Sequence, residues 1–252
     1  MLEIFPVHMT PFKEERNIRV FLPTNYQKGN KRYPVIYMHD GQNIFRDEDA
    51  IGGVSLSLED YLIAKKLDVI VVGIDQKSEQ RVNEYCPWIN GRYCENILGY
   101  KSELGGKGGD YIDFITHELK PLIDHKYRTL KDQTAMGGIS LGGLISVFAA
   151  CKYPHIYKNI TALSSAFYRN QEQIEEFIYI SDLSSVERIY LDWGKREVKD
   201  DRINRAFSAS NEAVAEILRG KAPNLISRII DEGEHNYSSF KKRAHQFFSF
   251  LE

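Results

Sequence analysis

The sequence predicts an α/β domain: a mostly parallel central sheet with helices on both faces and an antiparallel hairpin at its N-terminal edge. Three observations carry this. Apolar, β-branched runs alternate along the chain with stretches whose apolar residues recur at helical spacing, as expected where each parallel crossover needs a helix. The first two strand-like runs, about residues 2–9 and 17–23, lie close enough in sequence to pair as a hairpin. With 252 residues and 42% hydrophobic content the chain can bury one large core, and no linker is long or biased enough to divide it, so residues 1–252 are expected to form one domain.

Taken in order, Tyr33-Pro-Val-Ile-Tyr-Met-His39 reads as an apolar strand, residues 68–74 as the next, and residues 133–139, 159–163, 187–192 and 224–231 as the remainder, with helices between them. A closing helix is expected over residues 237–251. Residues 76–109 form the least regular segment. They hold Arg81, Tyr85, Trp88, Tyr93 and Tyr100 among asparagines and glycines, and a long segment without regular structure is commonly functional. Its place after a central strand sets it over the C-terminal edge of the sheet, where Arg81, Tyr85 and Trp88 would line a substrate pocket. The competing reading is a loop that its aromatics pin to the scaffold. Gly105-Gly-Lys-Gly-Gly109 lacks the spacing of a phosphate-binding loop and reads as the entry to a helix, with Asp110 as its N-cap.

Chemistry concentrates at Gly138-Ile139-Ser140-Leu141-Gly142. A short apolar strand runs directly into a helix whose apolar face is Leu144, Val147, Phe148 and Cys151, and a serine sits at the joint with glycine two residues to either side. That is the pattern of a nucleophile elbow. A serine hydroxyl needs a base, and the base needs an acid to fix its tautomer. Downstream, the run 187–192 leads into a polar loop holding Glu197, Asp200 and Asp201, and His235 lies in the turn after the last strand. His235 alone among seven histidines combines a loop position with the chain order Ser, acid, His. The residue after the serine, Leu141, is expected to supply one backbone N–H to an oxyanion, and Gln42, beside Gly41 after the third strand, the other. His39 and Asp40 have no clustered partner at metal-ligand spacing, so no metal is expected.

These motifs, with Tyr37-Met-His-Asp-Gly-Gln-Asn-Ile-Phe45, Glu84-Tyr-Cys-Pro-Trp88, Gly108-Gly-Asp-Tyr-Ile-Asp-Phe-Ile115 and Gly233-Glu-His-Asn236, resemble the putative esterase family of α/β-hydrolases, which includes feruloyl and acetylxylan esterases, siderophore esterases and S-formylglutathione hydrolases. The resemblance spans nearly the whole chain. It implies the α/β-hydrolase fold and a cofactor-independent serine esterase acting on a small ester or thioester, with Ser140 as nucleophile, His235 as base and Leu141 as oxyanion donor. Glu197, three residues beyond Gly194, matches the family acid, while Asp200 and Asp201 stay open. Acyl transfer by the same residues, or ligand binding without turnover, is the alternative function.

A formal net charge of −2 with interspersed signs leaves no basic footprint for nucleic acid. No run is apolar enough to cross a membrane. Residues 1–8 enter a strand without the features of a signal peptide, and three cysteines cannot all pair, so a reduced cytoplasm is the expected compartment, a secreted form lacking its leader being the alternative. Self-association into a homo-oligomer is left open.

Overall fold

The computed structural model describes residues 1–251. Strand β1 (Leu2–Met9) turns through a single 3-10 turn, Thr10–Phe12, with Lys13 in the left-handed region at φ 53°. The reversal is therefore complete by Glu14, and β2 (Glu14–Phe21) pairs antiparallel with β1 from Met9↔Glu14 to Leu2↔Phe21. This is the expected hairpin, begun three residues early because so tight a turn consumes few residues.

The remaining strands are β3 (Tyr33–His39), β4 (Ile70–Ile74), β5 (Thr129–Ile139), β6 (Tyr157–Leu163), β7 (Arg188–Arg196) and β8 (Leu225–Glu234). They form one sheet in the order β1-β2-β4-β3-β5-β6-β7-β8. Beyond β2, every neighbouring pair from β4 to β8 is parallel. Every residue of β3 and β4 is buried, which accounts for their unbroken apolar runs. Their side chains alternate between two cores. Val35, Tyr37, Ile70 and Val72 join one face, and Ile36, Met38 and Val71 the other. The sheet is thus covered on both sides, with the α/β-hydrolase arrangement.

The first core is closed by α4 (Gly108–Phe114), which continues through one π turn into α5 (Lys120–Lys126), and by α6 (Leu141–Lys152), α7 (Gln171–Ile180) and α8 (Asp201–Arg219). The second is closed by α1 (Leu58–Lys65), α9 (Tyr237–Lys241) and a 3-10 helix, Ala244–Leu251. The C-terminal helix expected over 237–251 is thus broken at Lys242 and Arg243, and the break lets the Arg243 side chain turn inward to bond Asp192 and Ser164.

Residues 76–109 are more regular than the sequence predicts. They contain α2 (Arg81–Tyr85) and α3 (Arg92–Leu98), whose five and seven residues are too few to display a period. The segment is tied to itself. Asn83 Oδ1 accepts from the Gly105 N–H, the Cys86 carbonyl accepts from Gly106 and Gly108, and Asn90 donates to Ser102. Lys107, not Asp110, occupies the N-cap of α4; Asp110 lies within its first turn. All three cysteines are free and buried, and burial pushes the Cys86 and Cys151 thiols up to about 12. No helix among the described residues is long and apolar enough to cross a membrane.

Candidate active site

Strand β5 ends at Ile139 and α6 starts at Leu141, so Ser140 alone makes the turn, at φ 60° and ψ −118°. Such a backbone is costly for a residue with a Cβ. It persists because the joint is fixed on every side: the Ser140 N–H donates to Leu163, and its carbonyl accepts from Ala166, Gly143 and Leu144. Gly138 is required by space, since a Cβ there would lie 2.7 Å from Gly142 Cα and closer still to its carbonyl. The Leu141 N–H, in the first turn of α6, meets no acceptor within the described residues, and neither does the backbone N–H of Gln42. Gln42 is locked by its own side chain, which accepts from the Gln76 N–H at 2.9 Å and donates to the Gln76 carbonyl at 2.8 Å.

Glu197 and His235 leave the ends of two adjacent parallel strands. β7 and β8 run on to Arg196 and Glu234, further than the sequence predicts, with a register shift between Gly194 and Arg196. At that point the backbones of Gly194 and Gly233 approach so closely that neither could carry a side chain. Glu197 Oε2 accepts from His235 Nδ1 at 2.7 Å, and Oε1 accepts from Ser164 Oγ at 2.6 Å and from the Gly194 N–H. Burial pushes the Glu197 carboxyl upward, but the donors outweigh it and hold it below the usual range. Asp200 is the N-cap of α8 and accepts from the Ile203 N–H at 2.9 Å, and Asp201 begins that helix exposed. Of the three candidate acids, only Glu197 meets the ring. The ring is also wedged edge-on between Phe207 and Phe240, with centroids 5.6 and 5.2 Å away.

Ser140 and His235 share a cleft of about 290 Å³, lined also by Asp40, Gln76, Ile139, Tyr237 and Phe240. No hydrogen bond joins the serine hydroxyl to the imidazole among the described residues, and such bonds are commonly long before substrate enters. Arg81 lines the same cleft, with Nε and Nη2 donating to the two oxygens of Asp40 at 2.7 and 2.8 Å. Asp40 stands in the left-handed region at φ 60° immediately before Gly41 and Gln42, so this ion pair braces the loop carrying the Gln42 N–H.

Two expected wall residues lie elsewhere. Tyr85 is fully buried against His39 and Tyr111, and its hydroxyl accepts from the Asp40 N–H at 3.1 Å. Trp88 sits edge-on to Phe148 of α6 and Phe177 of α7, in an aromatic cluster that covers its ring. His39 is buried with Nδ1 3.0 Å from the Tyr111 hydroxyl, and burial lowers it to about 3, so it is neutral. Sequence reasoning missed Ser164, Phe207, Phe240 and Arg243. None belongs to a recognisable motif, and only chain folding brings them to the site.

A family model described as "Putative esterase" matches residues 10–248. A Bacillus subtilis protein described as "Uncharacterized protein YbbA" is 28% identical over 245 residues, covering 94% of this chain and 91% of its own. Among solved structures, an IroE-like serine hydrolase from Shewanella oneidensis matches with a TM-score of 0.79 at 19% identity, over 100% of this chain and 80% of the other. The siderophore hydrolase EstA from Aspergillus nidulans matches with a TM-score of 0.74 at 19% identity, over 100% and 95%. At such identities the two structures speak to the fold alone.

Proposed function

Because the chain belongs to the putative esterase family and is a carboxylic ester hydrolase, we propose that it works through an acyl-enzyme on Ser140. Ser140 Oγ attacks the ester carbonyl while His235 Nε2 takes the hydroxyl proton, and Glu197 holds the opposite ring nitrogen protonated. The Leu141 and Gln42 N–H groups bind the oxyanion. Collapse of the tetrahedral adduct breaks the bond to the alcohol, which leaves with the proton from His235. Water then repeats the sequence, releasing the acid and restoring Ser140.

One observation carries this reading: the 2.7 Å bond from His235 Nδ1 to Glu197, made by a ring that shares its cleft with a serine in a strained turn. A cleft of about 290 Å³ with Ile139, Tyr237 and Phe240 among its walls suits a short or aromatic acyl group. Feruloyl, acetyl-sugar and siderophore esters are therefore the substrates to try first. The free buried cysteines support a reducing, cytoplasmic location.

The test is a panel of nitrophenyl acetate, nitrophenyl butyrate, methyl ferulate, acetylated xylo-oligosaccharide and S-formylglutathione, run with wild type, Ser140→Ala and His235→Ala. Each variant is expected to lose about a thousandfold or more while staying folded. A fluorophosphonate probe should modify Ser140 alone. Turnover retained by Ser140→Ala would refute the mechanism.

A further inference from the structure

Behind Glu197, on the side away from His235, lies a buried polar chain that the proposed mechanism does not use. Ser164 follows β6 directly and stands at φ 45°, a left-handed conformation uncommon for a serine. It is held there by its N–H, which donates to the Asp192 carbonyl at 2.7 Å. Its hydroxyl donates to Glu197 Oε1 at 2.6 Å and accepts from Arg243 Nη2 at 3.2 Å. Arg243 reaches inward from the break between α9 and the last helix, and its Nη1 donates to Asp192 Oδ1. Asp192 Oδ2 accepts from the Tyr190 hydroxyl at 3.1 Å. Ser164, Asp192, Arg243 and Glu197 are all buried.

The order of donors fixes the direction of the chain. A guanidinium has only donors, so the Ser164 oxygen must receive from Arg243 and its single proton must point elsewhere. The group within reach is Glu197 Oε1. Asp192 in turn anchors the guanidinium by its other nitrogen, so that it cannot swing away from Ser164. Oε1 thereby collects two donors, Ser164 Oγ and the Gly194 N–H, and the carboxylate plane is set so that Oε2 faces the imidazole.

We propose that Ser164 and Arg243 are positioning residues for ester hydrolysis: Arg243, anchored by Asp192, orients the Ser164 hydroxyl onto Glu197, which holds the carboxylate that aligns His235. The inference rests on the assignment of Glu197 and His235 to the reaction. It extends the Ser140, His235, Glu197 set by two residues from separate parts of the chain, one after β6 and one after α9. The Asp192 carboxylate anchors the arginine, while its backbone carbonyl holds Ser164 in place.

The test compares Ser164→Ala, Arg243→Lys and the double variant with wild type on nitrophenyl acetate. A lysine keeps a cation near Asp192 but cannot bridge Asp192 and Ser164 with a planar fork. Each single variant is expected to lower kcat about tenfold to a hundredfold, the rate equivalent of one hydrogen bond to a charged group, with KM unchanged. The double variant should be no slower than the slower single, because both act through one chain. In Ser164→Ala the downfield proton resonance of the His235 to Glu197 hydrogen bond should also move, a readout available even if Arg243→Lys fails to fold. Losses that multiply in the double variant, an effect confined to KM, or an unchanged kcat and resonance in Ser164→Ala would overturn the proposal. Ser140→Ala assayed alongside separates the two failures: if it is inactive and Ser164→Ala is normal, only the positioning role falls.

Discussion

Replacing Glu197 by glutamine keeps the volume of the side chain and removes only its charge, yet the donors around it predict a severe loss. Three groups point hydrogens at the carboxylate: Ser164 Oγ and the Gly194 N–H at Oε1, and His235 Nδ1 at Oε2. In glutamine one of these oxygens becomes an NH2. On the Oε1 side it would face two donors, so the amide nitrogen is driven to the side of His235. There it requires Nδ1 to accept, and the neutral imidazole can do so only by moving its proton to Nε2, the nitrogen that must take the proton of Ser140. The base is then in the wrong tautomer. The corresponding change in a serine protease triad costs about 10⁴ in kcat, roughly 5.5 kcal/mol at 1.36 kcal/mol per decade. The assay is kcat on nitrophenyl acetate at pH 7.5 for Glu197→Gln and Glu197→Ala, with melting curves to show that both fold. The glutamine variant should offer no rescue over alanine. Activity above about a tenth of wild type in Glu197→Gln would refute the reasoning.

Other expectations follow from separate parts of the fold. Gly138→Ala places a Cβ against the Gly142 backbone at the elbow, so soluble yield and fluorophosphonate labelling should both collapse; normal labelling would mean that the joint can shift. Trp88→Ala removes a ring packed on Phe148 and Phe177. It should cost about 3 kcal/mol, a fall in Tm of roughly 6–12 °C, while leaving the ranking of esters unchanged; a reordered ranking without loss of stability would return Trp88 to the substrate wall. Burial pushes the Asp192 carboxyl up to about 6 despite the opposing charge of Arg243. A carboxyl raised on folding is costly above its folded value and harmless below its unfolded one, so its penalty grows as pH rises from about 4 to about 6. Asp192→Asn should therefore gain on wild type by about 1 kcal/mol in relative stability between pH 5 and pH 8, measured by urea denaturation at the two pH values; a variant whose stability relative to wild type falls as pH rises would contradict this.

Much of the fold is legible in the chain because the relevant signals are local. The apolar runs of β3 and β4 announce buried parallel strands, and the helical face of Leu144, Val147 and Phe148 after a glycine-flanked serine announces the elbow, since both patterns depend only on neighbours in sequence. His235 is legible by its place in a turn after the last strand. Which of Glu197, Asp200 and Asp201 meets the His235 ring is not, because all three are acids within five residues of one another. It is decided by where β7 ends: the close approach of Gly194 and Gly233 carries that strand to Arg196, which delivers Glu197 to the ring and leaves Asp200 to cap α8. Tertiary structure likewise moves Trp88 from the expected pocket wall into the packing of α6 and α7, and brings Ser164 and Arg243, 79 positions apart, into hydrogen-bonding contact behind the acid. Sequence spacing encodes what a residue's neighbours along the chain impose; which buried donor meets which acceptor is set by the crossing of strands and helices, where the cost of an unpaired polar group selects the partner.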